Sequence, residues 1–189
     1  MFFKCVHHAP AAEGSGHVKT VSRNNKHFTV DIHCHIHVPE ADELVRQESP
    51  EFTGRTMVDS NPITSKINAD QHQTILPKLT DPEVRLKDMD EQGVDVQAIS
   101  TSPFHYNYFF DAEFTRQTAR LVNDRIAEVV AGHPDRFVGL GTVPLQNPKM
   151  AVAELDRCID DLGFKGVEIS TNVNGQDLTH AGLEKFFAV

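Results

Sequence analysis

From Thr80 to Val189 the chain alternates between segments of helical periodicity and short apolar runs, an order that admits few folds. Thr80-Asp-Pro-Glu83 reads as a helix start, with Thr80 as N-cap, Pro82 in the first turn and Glu83 as the capping-box partner. Val84, Leu86 and Met89 give that helix its inward stripe, and Gly93 ends it. Val94 to Ser100 is a short apolar strand. Asp111 to Gly132 is the longest helix, because Phe114, Thr118, Leu121, Val122, Ile126, Val129 and Val130 recur at its period. Phe137 to Pro144 is the next strand, and its Gly139 and Gly141 leave room for a neighbouring backbone or a ligand to come close. Pro148 opens a helix over Lys149 to Leu162. Gly163 to Ser170 is a further strand, Asn172 to Gly175 a turn, and Leu178 to Val189 begins a last helix. Such alternation requires a parallel sheet with right-handed crossovers. It closes into an eight-stranded barrel or stays an open doubly wound sheet. No Gly-x-Gly-x-x-Gly follows the first strand, which disfavours the dinucleotide-binding version.

That first strand lies upstream, in Phe28 to Ile32, an apolar and β-branched run ended by Pro39. Side chains alternate along a strand, which sends Asp31, His33, His35 and His37 to one side and Ile32, Cys34, Ile36 and Val38 to the other. Two imidazoles two residues apart at a strand's C-terminal end can both reach one ion at about 2.0–2.1 Å. Neutral imidazole suits zinc and its first-row neighbours. His33 and His35 are therefore the candidate metal ligands. His37 lies about 6.6 Å beyond His35 and is expected in solvent or as a supporting contact. His105, His133 and His180 fall in loops or at helix ends and are expected at the surface. In a parallel barrel the strand ends carry the chemistry, and the His-x-His end, Thr101 to Phe110, Pro144 and the turn after Ser170 share that end.

Composition narrows the function classes. A length of 189 residues with 39% hydrophobic and 24% charged residues is ordinary for one globular domain. A net charge of −9 with no basic stripe argues against nucleic acid as a partner. No apolar run approaches the roughly 18 residues of a membrane-spanning helix, and the N-terminus lacks a signal-peptide pattern, so a cytoplasmic address is expected. Cys5, Cys34 and Cys158 are too far apart for a Cys-x-x-Cys motif and fit a reducing compartment. Residues 1–27 read as a flexible N-terminal extension or hairpin arm, in which His7 and His8 are solvated tail. Residues 40–80 read as an irregular insertion over the active-site face, rich in turns and carrying Arg55, Lys66, His72 and Lys78 as cations within reach of an anionic substrate.

Asp31-Ile-His-Cys-His35 resembles the metal motif of the amidohydrolase superfamily. Asp81-Pro-Glu-Val-Arg85 with Met89-Asp90, Gln97 to Thr101, Pro134 to Pro144, Gly163 to Val167 and Thr171 to Gly175 resemble its aminocarboxymuconate semialdehyde decarboxylase branch. The resemblance covers residues 28–189 and implies an α/β fold of the (β/α)8 TIM-barrel type, of which the chain would hold roughly the first four βα units. It implies His33 and His35 as paired first-strand ligands of a divalent metal, zinc first and manganese second. The family's remaining ligands, a histidine and an aspartate, and its catalytic histidine lie on the fifth, sixth and eighth strands, so no catalytic residue is assigned within this chain. The family's substrate arginine is missing from the stretch His72 to Thr80, and its apolar residue after the motif is here His37.

The implied activity is metal-dependent decarboxylation, a carbon–carbon lyase reaction on a small aromatic or unsaturated carboxylic acid. The same site run as a hydrolase of lactones, esters or amides is one alternative. An inactive truncated chain that needs a partner to complete the site is another. A half-barrel would present an unpaired parallel strand edge, so homo-oligomerisation is expected.

Overall fold

The computed structural model describes residues 27–50, 61–179 and 182–188. The expectations for the N-terminal arm, Cys5, Arg55 and His180 fall outside those residues. Three parallel strands run in the order β1 (Val30–Ile36), β2 (Val96–Thr101) and β3 (Phe137–Gly139). The fourth expected strand is reduced to one parallel bridge, Gly141 to Val167. It is bracketed by hydrogen bonds from Lys165 N to Gly139 O (3.0 Å) and Glu168 N to Gly141 O (2.8 Å).

Helices connect the strands as the alternation requires. The stretch read as an irregular insertion is largely helical where described: α1 (Pro39–Glu48) and α2 (Pro62–Thr80) occupy it. The Asn61 side chain caps α2, which buries none of its residues. Turn-forming Asn61 and Pro62 start a helix instead of breaking one. Next comes α3 (Pro82–Gln92), whose N-cap is Asp81 rather than Thr80. Asp81 Oδ1 accepts from Glu83 N at 2.9 Å, while the Thr80 hydroxyl bonds back to Leu76 O and still belongs to α2. Gly93 ends α3 in the left-handed conformation (φ 71°), which favours glycine.

The longest helix, α4 (Ala112–Gly132), is capped by Asp111 through the N–H groups of Glu113 and Phe114. Its Val122, Ile126 and Val129 pack with Ile99, Phe137, Cys34 and Ile36 to form the main core behind the sheet. Burying each such side chain is worth about 1.5–3 kcal/mol. Then α5 (Pro148–Asp156) continues into a wider turn, Arg157–Asp161, and among the described residues of the last expected helix only Glu184–Phe187 (α6) is helical. Asn172–Val173 (β4) and Gln176–Asp177 (β5) make a hairpin about Asn174 and Gly175, both at positive φ. Gly139 and Gly141 do allow a close approach, but by core side chains and not by a ligand. A Cβ on Gly139 would lie 2.4 Å from the Phe164 ring, and one on Gly141 would lie 2.5 Å from Cys158 Sγ.

The β1–β2 register contains a bulge. Asp31 pairs with Gln97 and Cys34 with Ile99, so three steps along β1 match two along β2. Gln97 and Ile99 share a face, and therefore so do Asp31 and Cys34. Strict alternation had put Asp31 with His35; the extra residue turns it to the helix side, where Gln97 Nε2 donates to its carboxylate at 3.4 Å. Ile32 is displaced the other way. It is 76% exposed, whereas Cys34 and Ile36 are 3% and 4% exposed.

Candidate functional site

His33 and His35 stand together at the C-terminal end of β1, ring centroids 4.9 Å apart and planes at 81°. His33 is exposed and His35 half-buried. Nδ1 of His35 lies 2.9 Å from the carbonyl oxygen of Thr101. A carbonyl can only accept, so Nδ1 carries the proton and Nε2 keeps the lone pair that binds metals. Ser100 Oγ sits 3.2 Å from the same Nδ1 and itself donates to Cys34 O. Burial lowers the His35 pKa, opposed by the Glu168 carboxylate 3.8 Å away, so the ring is neutral at pH 7. Arg85 holds the strand from behind, its guanidinium donating to His35 O at 2.5 Å and to Gln97 Oε1 at 3.1 Å. An imidazole oriented by a backbone carbonyl beside a second imidazole is a donor set that fits a divalent first-row ion.

Glu168 and Tyr106 adjoin this pair. The Tyr106 hydroxyl donates to Glu168 Oε1 at 2.6 Å, and burial together with that carboxylate pushes the phenol above its ordinary range, so it stays protonated. Sequence reasoning passed over Glu168. The signal was a lone carboxylate inside the apolar run Val167-Glu-Ile169, at the residue after the Gly141–Val167 bridge.

The aromatic segment Thr101 to Phe110, expected at the strand-end face, follows β2. Only Tyr106 reaches the site; Tyr108 is buried in a second core cluster with Val143 and Leu145. His37, expected in solvent or as a supporting contact, and His105, expected at the surface, are both buried (8% and 1% exposed) and share the carboxylate of Asp42. His133 is partly exposed and pairs with Glu83 at 3.4 Å. A cavity of about 440 Å³ lined by Leu145, Pro148, Val173, Asn174 and Leu183 includes neither histidine of the β1 pair.

The arrangement has known counterparts. The amidohydrolase family pattern matches residues 30–189, nearly all of the described chain. The chain belongs to the amidohydrolase family. Among curated amidohydrolase relatives, the 2-amino-3-carboxymuconate-6-semialdehyde decarboxylase of Dictyostelium discoideum is 39% identical over 107 residues, covering 57% of this chain and 30% of that protein. The gamma-resorcylate decarboxylase of Polaromonas sp. is 34% identical over 118 residues, covering 62% and 36%. The 5-carboxyvanillate decarboxylase of Novosphingobium aromaticivorans, solved with manganese and 4-hydroxy-3-methoxy-5-nitrobenzoic acid, superposes with a TM-score of 0.72 at 26% identity. It covers 86% of this chain and 47% of that one. This amidohydrolase chain thus spans about a third of the curated relatives' length and under half of the solved one. Its α/β fold with parallel strands is the corresponding part of their TIM-type barrel. Among the described residues, no helix is long and apolar enough to cross a membrane.

Proposed function

We propose that the chain supplies the first-strand metal ligands, His33 and His35, of a divalent-metal-dependent decarboxylase acting on a small aromatic or unsaturated carboxylic acid. The observation that carries this reading is the Thr101 carbonyl, which fixes the His35 tautomer with Nε2 as donor beside His33. The names of the relatives support the reaction class. An ion held there supplies Lewis-acid polarisation of a substrate oxygen.

The chain's own residues do the positioning. Thr101 O and Ser100 Oγ hold the His35 ring. Arg85 pins the carbonyl of the same residue. Tyr106 keeps its proton, donates it in a hydrogen bond to the Glu168 carboxylate and so fixes the wall beside the ring. Imidazole donors favour zinc on affinity, and manganese, the ion carried by the solved relative, is the second choice. The remaining ligands and the proton donor come from further strands or a partner. Exposed Val30 and Ile32 on β1, with Phe28 just before it, favour that arrangement, because they are apolar surface a further strand or a second copy would cover.

The test is carbon dioxide release from hydroxybenzoic and muconic-type acids by the complete protein, alongside its metal content. His33→Ala and His35→Ala should each lower occupancy and kcat/KM by more than the roughly 10–100-fold that the supporting partners of metal ligands command. Ser100→Ala should fall within that range. Turnover that survives both histidine substitutions sinks the reading, and ester or lactone cleavage without carbon dioxide replaces it with the hydrolase.

A further inference from the structure

Past the end of β1 stands a second group of donors that the β1 pair does not use. His37 Nε2 lies 2.9 Å from Asp42 Oδ2, and His105 Nε2 lies 3.2 Å from Asp42 Oδ1. The two rings are stacked, centroids 4.8 Å apart at 29°, and aim the same nitrogen at one carboxylate. One donor atom from each of the three residues falls within 4.8 Å of the others. Each comes from a different element: His37 follows β1, Asp42 is on α1, and His105 closes the turn Pro103–His105 after β2.

We propose that His37, Asp42 and His105 form a second divalent-metal site, for a borderline first-row ion such as zinc, that ties the end of β1, α1 and the turn after β2 together. Two imidazoles and one carboxylate are a donor set for such ions, with the coordination completed by water on the side where Asp42 is 38% exposed. Bonds of about 2.1 Å in a tetrahedron hold ligand atoms about 3.4 Å apart. The 2.9 and 3.2 Å nitrogen–oxygen pairs already stand near that spacing, and side-chain rotation closes the widest pair. The supports are in place as well. Thr101 Oγ1 is 3.4 Å from His105 Nδ1, and the His37 N–H donates to Leu79 O at 2.9 Å, fixing where that residue leaves the strand. His72 of α2 stands edge-on to His37 at 6.0 Å and shields the ring.

The experiment removes the other histidine sites and asks whether one remains. In the protein carrying His7→Ala, His8→Ala, His33→Ala and His35→Ala, Co2+ used as a visible probe should bind with one equivalent and show d–d bands. Zn2+ should displace it and raise Tm. Adding Asp42→Asn or His105→Asn should weaken Co2+ binding by more than about 100-fold, beyond what loss of a supporting partner costs, and abolish the Zn2+ shift in Tm, while His133→Ala changes neither. Should those variants fail to fold, hyperfine-shifted imidazole N–H resonances in the Co2+ form of the parent protein decide the matter: two are expected. Absence of a bound equivalent in the folded parent, unchanged binding in Asp42→Asn, or no shifted imidazole resonances each overturns the site and leaves Asp42 as a hydrogen-bond bridge only.

Discussion

The two faces of β1 begin from similar residues and end in different surroundings. On one face Cys34 and Ile36 pack against Ile99, Val122 and Met89 under a layer of helices, out of contact with water. On the other, Val30 and Ile32 are exposed, and the same face carries His35 beside Ser100 of β2. Apolar character alone does not decide burial; what lies opposite does. The bulge at Ile32–His33 sets the boundary, since it moves Asp31 to the packed side and Ile32 off it. A packed face makes the chain fold, and an open one lets two imidazoles face a ligand or another strand.

The largest effect that can break this contrast is a pair of truncations. Ile36→Ala should cost about 2–5 kcal/mol, because the surrounding helices cannot close the gap. Ile32→Ala should stay within about 0.5 kcal/mol in the chain by itself. Urea unfolding with an unchanged m-value measures both. Equal losses would mean that Ile32 is covered after all. A loss at Ile32 that grows with protein concentration would identify a second copy as the cover, and sedimentation would then show association.

Much of this was legible in the sequence because it rests on short-range physics. The start of the longest helix at Asp111, Gly93 as stop and the stripe Val122, Ile126 and Val129 need only local chemistry and a period of 3.6. The first-strand histidines were legible because their spacing is the pleat itself. What escaped depended on partners distant in sequence. The bulge follows from pairing with β2, which one strand's pattern does not contain. His105 looked like a loop residue at the surface, yet Asp42, 63 residues away, gives its buried ring a hydrogen-bond partner. Glu168 gained significance only when the Gly141–Val167 bridge brought it within 3.8 Å of His35. Helix α2 was hidden by Pro62, which reads as a turn until Asn61 is seen to cap it.

A smaller effect sharpens the packed side. Gly141→Ala places a methyl group 2.5 Å from Cys158 Sγ and 3.3 Å from Asn123 Oδ1, and Asn123 is committed to Thr142 on both its amide atoms. Neither neighbour is the loose end of a long side chain, so the backbone must shift. Overpacking of this kind costs about 1–3 kcal/mol. Combining it with Cys158→Ala removes the nearest obstacle, so the pair should lose less than the sum of the single changes. Strict additivity would show that the clash is relieved elsewhere.

The smallest effect reads the same contact through its proton. Burial, reinforced by the nearby Glu154 carboxylate, pushes the Cys158 thiol up to about 12. An unfolded cysteine ionises near about 8.5. The folded state therefore holds a proton that the unfolded state releases as pH rises past that value. This contribution to stability is fully present below about pH 8.5 and is lost progressively as pH climbs towards 12, at no more than about 1.4 kcal/mol per pH unit. Cys158→Ala should lower stability at neutral pH by leaving a gap beside Gly141, yet flatten the decline between about pH 8.5 and 10.5. Iodoacetamide at pH 8.5 should label Cys158 only at the rate of unfolding. Rapid labelling of the folded protein, or parallel stability profiles for the two proteins, would show that water reaches the contact between Gly141 and the turn Arg157–Asp161 and that the packed face is not closed.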